Sequence, residues 1–307
     1  RKFGISPAVL FPDPSRHGLF LIKKTKSSED LEHFIDLDVV FPVLHGTFGE
    51  DGTLQGLLEM AGVAYVGAGV LGSAVGMDKG VFREVMLANG IPVIDTIVVS
   101  RSEIDNLVNQ VIENAEHLMS YPMFVKPANT GSSVGVSKCY SRSDLIEGLM
   151  DAARFDRRIL VQRAVNARES VVSVLGNDLP KASIPGEIRP AAEFYSYDAK
   201  YNDENSELLI PAPLSDEMIN RIRSLAIKAY QAIDCAGMAR VDFFVDRDTD
   251  EIFLGEVNTI PGFTKISMYP KLWEASGLPY PQLIDRLVEL ALERKSDRDR
   301  TEWRYKS

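Results

Sequence analysis

"ARVDFFVDRDTDEIFLGEVNTIPG", residues 239–262, is the stretch on which the fold turns. Two runs rich in Val, Ile and Phe flank an acidic turn through about Asp246–Glu251, the pattern of an antiparallel hairpin. Side chains alternate between the two faces of a strand. Arg240 and Asp242 therefore share one face of the first strand with Phe244. Glu256 and Asn258 share one face of the second, with Leu254. Folding about the turn sets Asp242 opposite Gly255 or Glu256. Arg240, Asp242, Glu256 and Asn258 then converge on one patch. Two carboxylates and an amide oxygen make the hard-oxygen set that magnesium takes when water and phosphates supply its other ligands. The competing reading is a solvated outer face with a salt bridge. Apolar neighbours and the cost of burying unpaired charge weigh against it. Asp246, Asp248 and Asp250 belong to the turn and are read as turn chemistry.

A second signal lies upstream, in "FVKPANTGSSVGVSK", residues 124–138. It is neither GxxxxGK[ST] nor GxGxxG. Lys126 ends one strand, and a Gly-Ser-Ser-x-Gly turn leads into the next. Backbone N–H groups of such a turn can cradle anionic oxygens, and Lys126 supplies a point charge. By itself the stretch reads equally well as a flexible β-turn. Together with a magnesium-type cluster it points to phosphoryl transfer, which needs metal, cations and oriented N–H donors around a triphosphate.

The bulk properties are those of a globular chain. Its 307 residues are enough for about two domains. Lys and Arg number 34 against 44 Asp and Glu, a net charge of −10 that argues against a nucleic-acid or anionic-membrane surface. Cys139 and Cys235 are far apart and form no disulfide framework or zinc pattern, which fits a reducing, cytoplasmic setting. No apolar run approaches the ~18 residues of a membrane span.

Local patterns supply the remaining elements. Residues 37–44, "LDVVFPVL", read as a buried strand, and "TLQGLLEMAG" as a helix closed by Gly62. "VAYVGAG" completes an α/β unit. Asp78 caps a helix through about Asn89, stopped by Gly90 and Pro92. Strands are expected near 94–99, 122–126, 134–138 and 158–165, with helices near 103–118 and 143–153. Further strands near 169–176 and 179–184 precede an aromatic, polar stretch of the kind used as a lid, 186–214. A helix near 215–235, the hairpin, and a helix near 281–294 follow, and 295–307 is expected to be a solvated end.

Several ordered motifs then resemble one family. "LHGTFGEDGTLQGLLEMAGVAYVG", "MDK", "KPANTGSSVGVSK", "NARESVVSVLGND", "FYSYDAKY", "ARVDFF", "GEVNTIPGFT" and "SMYPKLW" look like the D-alanine–D-alanine ligases of the ATP-grasp superfamily. The likeness covers nearly the whole chain from about residue 37. It implies a mixed α/β and α+β fold in three parts: an N-terminal α/β domain (1–73), a central subdomain (74–165) and a C-terminal domain (166–307). ATP is held between the sheets of the last two. It implies ATP-dependent joining of two D-alanines through an acyl phosphate, with two Mg²⁺ (or Mn²⁺) ions held by Asp242, Glu256 and Asn258. Arg240 and the Gly262 N–H would form the oxyanion site.

The same resemblance places Lys79, Lys126 and Ser133 at the phosphates, although Lys79 by its residues alone reads as a helix-surface lysine. "VQRAV" becomes the adenine hinge, with Gln162, Arg163 and Val165, and Glu169 the ribose carboxylate. The family often has glutamate where this chain has Gln162; an amide oxygen can still accept from the adenine amino group. Lys200 and Tyr201 match lid residues that meet Ser132. "YSYDAKY" is the D-alanine-accepting form, whereas D-alanine–D-lactate ligases carry a histidine in their lid. His45 and Ser267 match substrate-side positions. The family is usually a homodimer. Its opening strand–loop with an "EH" pair is not found here, so the N-terminal domain is expected to lack its front part. Open alternatives are a D-alanine–D-lactate or other ATP-grasp carboxylate–amine ligase, and an ATP-binding module without ligase activity.

Overall fold

The computed structural model describes residues 7–24, 28–131, 134–189, 207–264 and 266–302. No element is expected over the first 36 residues, yet they contribute an antiparallel sheet of β1 (Ala8–Leu10), β2 (Leu19–Lys24) and β3 (Glu29–Ile35). A β-α-β unit follows. β4 (Val39–Val40) pairs in parallel with β5 (Ala64–Tyr65), and α1 (Thr53–Ala61) makes the crossover. The strand expected over 37–44 is only two residues long. Pro42 follows it and has no N–H to donate to a ladder. Gly62 closes α1 in the left-handed conformation, as its position implied, and its N–H reaches the Glu59 and Leu58 carbonyls.

α2 (Val70–Met77) was not legible in the sequence. Its small residues carry no apolar period, and they are there for close approach. A Cβ on Gly72 would lie 3.0 Å from the Asp234 carbonyl oxygen, and one on Gly76 would lie 3.1 Å from Thr259 Cγ2.

α3 (Lys79–Ala88) begins as expected at Asp78, which accepts from the N–H groups of Gly80 and Val81 at 3.0 Å each. Asp78 also pairs with Arg158 at 2.8 Å and accepts from Asn129 at 3.2 Å. One carboxylate thus joins a helix start, a strand and the root of the glycine-serine loop. Asp78→Ala removes an N-cap and strands the Arg158 guanidinium. A loss of about 3 kcal/mol is expected in urea unfolding, above the ~1 kcal/mol typical of a cap alone. A loss no larger than a cap's would show that the Arg158 pair contributes nothing.

The next sheet is built from β6 (Thr96–Ser100), β7 (Met123–Pro127), β8 (Ser137–Cys139) and β9 (Arg158–Arg163), in the order β6-β9-β7-β8, every pair antiparallel. α4 (Arg101–Leu118) and α5 (Arg142–Phe155) bury their apolar stripes against it, in a core with Ile112, Leu145, Leu149, Ile159 and Val161. α4 opens on a reciprocal capping box between Ser100 and Glu103. Along β7, Met123, Val125 and Pro127 are buried, so Phe124 and Lys126 project from the other face.

The largest sheet runs β13-β12-β10-β14-β15: β10 (Ala167–Gly176), β12 (Gly186–Arg189), β13 (Glu207–Leu209), β14 (Gly237–Asp246) and β15 (Ile252–Asn258). The short β11 (Lys181–Ala182) also pairs with β10. α6 (Asp216–Ala232) covers one face through Ile222, Ala226, Ala229 and Tyr230, packed on Val172, Val174, Val241 and Phe243. α7 (Met268–Ala275) and α8 (Tyr280–Arg298) complete the chain. Two expectations are corrected here. The ends of the stretch expected to be a lid, 186–214, are the paired strands β12 and β13, because Ile188 and Leu208 pack with Val171 and Met268. The last helix runs on to Arg298, into what reads as a solvated end. Arg294 lies 4.1 Å from the Tyr65 ring, and Arg298 donates to the Glu59 carbonyl at 3.1 Å and pairs with its carboxylate.

The two sheets meet edge to edge. Val93 bridges to Leu254, whose N–H donates to the Pro92 carbonyl at 2.8 Å. Arg163, at the end of β9, lies 5.6 Å from the Phe253 ring.

Candidate active site

The hairpin forms with the expected register. Asp242 faces Glu256 and Arg240 faces Asn258. One detail departs from simple alternation. A bulge between Asp242 and Phe243 makes Gly255 an extra residue, so Phe243 pairs with Leu254. Leu254 therefore does not share the Glu256 face, as strict alternation implied; it lies in the core at 3% exposure. Only glycine fits at 255, where a Cβ would lie 2.8 Å from the Phe244 ring and 3.1 Å from the Asp242 carbonyl oxygen.

The four polar side chains converge. Arg240 donates from Nε and Nη2 to the two Asp242 oxygens at 2.7 and 2.6 Å, a two-bond fork. The Asn258 amide nitrogen donates to Asp242 at 3.1 Å and to Glu256 at 3.3 Å. Burial opposes the charge on Arg240, but Asp242, Glu256 and Glu50 outweigh it and hold the guanidinium protonated beyond its ordinary range.

Glu50 was missed in the sequence, although it stands inside the quoted "LHGTFGEDG" motif. It accepts from the Gly46 N–H at 2.6 Å and from the Ile260 N–H, so it ties the loop after β4 to the end of β15. Burial pushes its carboxyl up, and the Glu256 charge adds to that rise. Gln55, 1% exposed, holds the same loop by donating to the Gly49 carbonyl at 2.9 Å. His45, exposed, opens this loop near Glu50. On the far side Ser267 caps α7 by position without a side-chain cap bond. Its hydroxyl accepts from the Thr264 N–H at 2.9 Å and lies 2.9 Å from where a Cβ on Gly262 would sit.

Lys79 is not the bland surface lysine that its residues alone allow. Its Nζ donates to the Thr130 carbonyl at 2.7 Å and lies 3.4 Å from the Ala128 carbonyl, at the root of the glycine-serine loop. Lys126 and Lys138 each lie 5.9 Å from the Phe124 ring, on the face of β7 opposite its helices. Lys138 was not singled out in the sequence; its pairing with Phe124 across the sheet was the available signal. Gln162 lies opposite both Thr96 and Phe124, and its amide nitrogen donates to Thr96 at 3.1 Å, leaving Oε1 as its acceptor. Arg163 pairs with Asp95 at 3.1 Å, and Val165 follows it in the link between the two sheets. Glu169 faces Phe244 on β14, on the same side of the sheet as Asp242 and Arg240. Ser132, Ser133, Lys200 and Tyr201 lie outside the described residues.

The loop root is held by Asp156, which accepts from the Asn129 N–H at 2.7 Å and from its side chain at 3.1 Å. Burial works against this carboxylate, but the N–H donors of Asn129, Arg158 and Arg157 outweigh it and hold the carboxyl below its usual range. A depressed carboxyl contributes stability above its unfolded value and loses it as pH falls. Asp156→Asn should cost about 1 kcal/mol at neutral pH, with the difference from wild type starting to shrink as pH falls below about 4 and gone only below the depressed folded value. Thermal melts across that range check it; a pH-independent difference would remove the charge from the account.

The comparisons agree with this architecture. The family model described as D-ala D-ala ligase C-terminus matches residues 85–289, and that described as D-ala D-ala ligase N-terminus matches 16–68. The D-alanine–D-alanine ligase of Caldicellulosiruptor bescii is 53% identical over 283 residues, 92% of this chain and 76% of that protein. Among solved structures, the D-alanine–D-alanine ligase from Coxiella burnetii is 38% identical at TM-score 0.76, covering 91% of this chain and 75% of that one. The VanG D-Ala:D-Ser ligase from Enterococcus faecalis is 35% identical at TM-score 0.82, covering 93% and 79%.

Two antiparallel sheets joined at an edge, with lysines on one and a carboxylate hairpin on the other, define an ATP-grasp enzyme. The chain belongs to the D-alanine–D-alanine ligase family. It is an ATP-dependent ligase that joins two D-alanines for peptidoglycan synthesis.

Proposed function

We propose that the polar patch on the β14–β15 hairpin is where the D-alanine carboxylate is activated and joined. The observation that carries this reading is the convergence of Asp242, Glu256 and Asn258 beside a guanidinium clamped by two bonds. ATP gives its γ-phosphoryl group to the carboxylate of the first D-alanine, forming an acyl phosphate and ADP. The neutral amine of the second D-alanine attacks the acyl carbon. Inorganic phosphate leaves, and the amine proton is released. The oxyanion of the tetrahedral intermediate falls to Arg240 and the Gly262 N–H. Arg240 suits this role because its carboxylate partners keep it charged and its fork is already ordered.

Asp242, Glu256 and Asn258 fit a divalent cation. The Asn258 NH₂ group sits between the two carboxylates, where a cation would be held, and turning the amide about its bond presents oxygen in its place. Among the described residues no group of three His, Cys, Asp or Glu is placed to hold a metal. A magnesium or manganese ion at Asp242, Glu256 and Asn258 would take its other ligands from phosphate and water. When bound, two such ions would neutralise the charge on the transferring phosphoryl group.

Lys79, Lys126 and Ser133 would meet the phosphates; Gln162, Arg163 and Val165 the adenine; Glu169 the ribose. His45, Ser132, Lys200, Tyr201 and Ser267 would enclose the two D-alanines. Residues 1–73, 74–165 and 166–307 would act as three bodies. A homodimer in the cytoplasm is the assembly we favour; no described helix is long and apolar enough to cross a membrane.

The decisive assay is phosphate release from ATP with and without D-alanine. Release only with D-alanine, yielding D-alanyl-D-alanine, is expected. ATP binding without release would mark a binding module. The likeness to a D-Ala:D-Ser ligase makes D-serine the acceptor to compare beside D-alanine and D-lactate. D-alanine is expected to win because "YSYDAKY" is the D-alanine-accepting form.

A further inference from the structure

A groove of about 410 Å³ opens where β11 meets α6 and the C-terminal end of α7. None of the residues given catalytic or ATP roles above lines it. Its apolar walls include Ile184, Ile227 and the Trp273 ring, and its cations are Lys181 and Arg223. No Asp or Glu is among the described residues that line it. In a chain of net charge −10, this is a local reversal of sign.

The guanidinium is only partly engaged. Arg223 Nη2 donates to the Ala182 carbonyl at 2.9 Å, which fixes the side chain against β11. Its Nε is buried and has no hydrogen-bond partner among the described residues. A buried N–H without an acceptor is rare, so the protein engages this guanidinium weakly and leaves its charge for an anion in the groove, which would meet the side chain at an edge other than the enclosed Nε. Ser276 does not meet that need. Its hydroxyl donates to the Leu272 carbonyl at 2.7 Å and accepts from the Ile184 N–H at 2.9 Å. The Trp273 indole N–H is turned towards the Tyr269 hydroxyl in the core, without a bond of good geometry, which leaves its ring as a flat wall.

We infer that this groove binds a small organic anion, a carboxylate carried on a flat apolar body. The carboxylate meets Arg223 and Lys181, and the body lies against Trp273 and Ile227. The inference is independent of the ligase reading, since it uses none of that site's residues.

Benzoate is the probe. The chain has two tryptophans, Trp273 and Trp303, so its isotope-labelled form gives two indole N–H signals, told apart with Trp303→Phe. Benzoate should shift the Trp273 signal saturably, with half-saturation near ~1 mM. Saturating ATP and D-alanine should not compete. Arg223→Met should weaken binding about tenfold or more. Lys181→Ala, an exposed change that leaves the core intact, should weaken it by a smaller factor. No saturable shift, or full affinity in both variants, overturns the inference. An equal response to benzyl alcohol removes the anion and an equal response to inorganic phosphate removes the apolar body; either overturns it as stated.

Discussion

Glu256→Gln lowers D-alanine-dependent phosphate release by about a thousandfold or more, while the melting temperature stays within a few degrees of wild type. The two halves of this expectation have different causes. Glutamine keeps an oxygen at Oε1, so the 3.3 Å contact from Asn258 survives, and Glu256 is half-buried rather than packed in the core. The fold loses little. The reaction loses a formal negative charge from a set that holds only two carboxylates and an amide. Metal-assisted stabilisation of a transferring phosphoryl group amounts to several kcal/mol, and each ~1.4 kcal/mol is a factor of ten in rate. Phosphate release at several magnesium concentrations, with melting curves beside it, checks both halves. Wild-type turnover in the variant would sink the metal assignment. Partial rescue by high magnesium would locate the defect in metal affinity.

Arg240→Met is expected to be costly in both stability and rate. The Arg240 guanidinium is part-buried and carries both bonds to Asp242. Without it Asp242 keeps the Asn258 amide, beside the Glu256 carboxylate. Removing one partner of a fully buried pair costs about 3–5 kcal/mol, because the other charge stays behind, and this part-buried pair should fall at or below the low end of that range. If Arg240 is also the oxyanion donor, the rate falls a further ~100- to 1000-fold. Arg240→Lys separates the two effects. A lysine restores a positive charge near Asp242 but not the planar fork. Stability should therefore recover by more than half, while turnover recovers little. Equal recovery of both would make Arg240 a purely structural partner of Asp242.

The parts of this molecule that were legible in the sequence share a physical basis. The β14–β15 register followed from alternation about an acidic turn, and α3 from Asp78 with Gly90 and Pro92. These are local rules, and tertiary contacts merely agree with them. What was not legible depends on partners far along the chain. α2 is helical because glycines at 72 and 76 let it lie against Asp234 and Thr259. Glu50 joins the patch because a loop from the first part reaches the Ile260 N–H. Lys79 looks like surface in its own helix and gains its contacts only when residues 128–130 fold back onto it. The ATP-side roles proposed above rest on family resemblance, since no local rule separates a ribose-binding glutamate from an exposed one.

The extra residue at Gly255 has a consequence for how this strand tolerates change. β15 has two segments of opposite parity: before the glycine the even-numbered positions enter the core, and after it the odd-numbered ones do, as Ile252, Leu254 and Val257 record. Deleting that one residue would restore plain alternation and leave Glu256, Val257 and Asn258 on the faces they hold now, because the extra residue is what shifts the parity. A side chain in its place is the harder change: it would crowd the Phe244 ring and the Asp242 carbonyl oxygen, and a strand that flattened the bulge while keeping the residue would turn Val257 to the solvent side and Glu256 and Asn258 into the hydrophobic layer. An insertion in the 247–251 turn has no such effect, since the Asp242–Glu256 pairing fixes the frame beyond it. The hairpin should thus accept length variation at its tip, and at position 255 it should tolerate the loss of the residue better than a larger side chain.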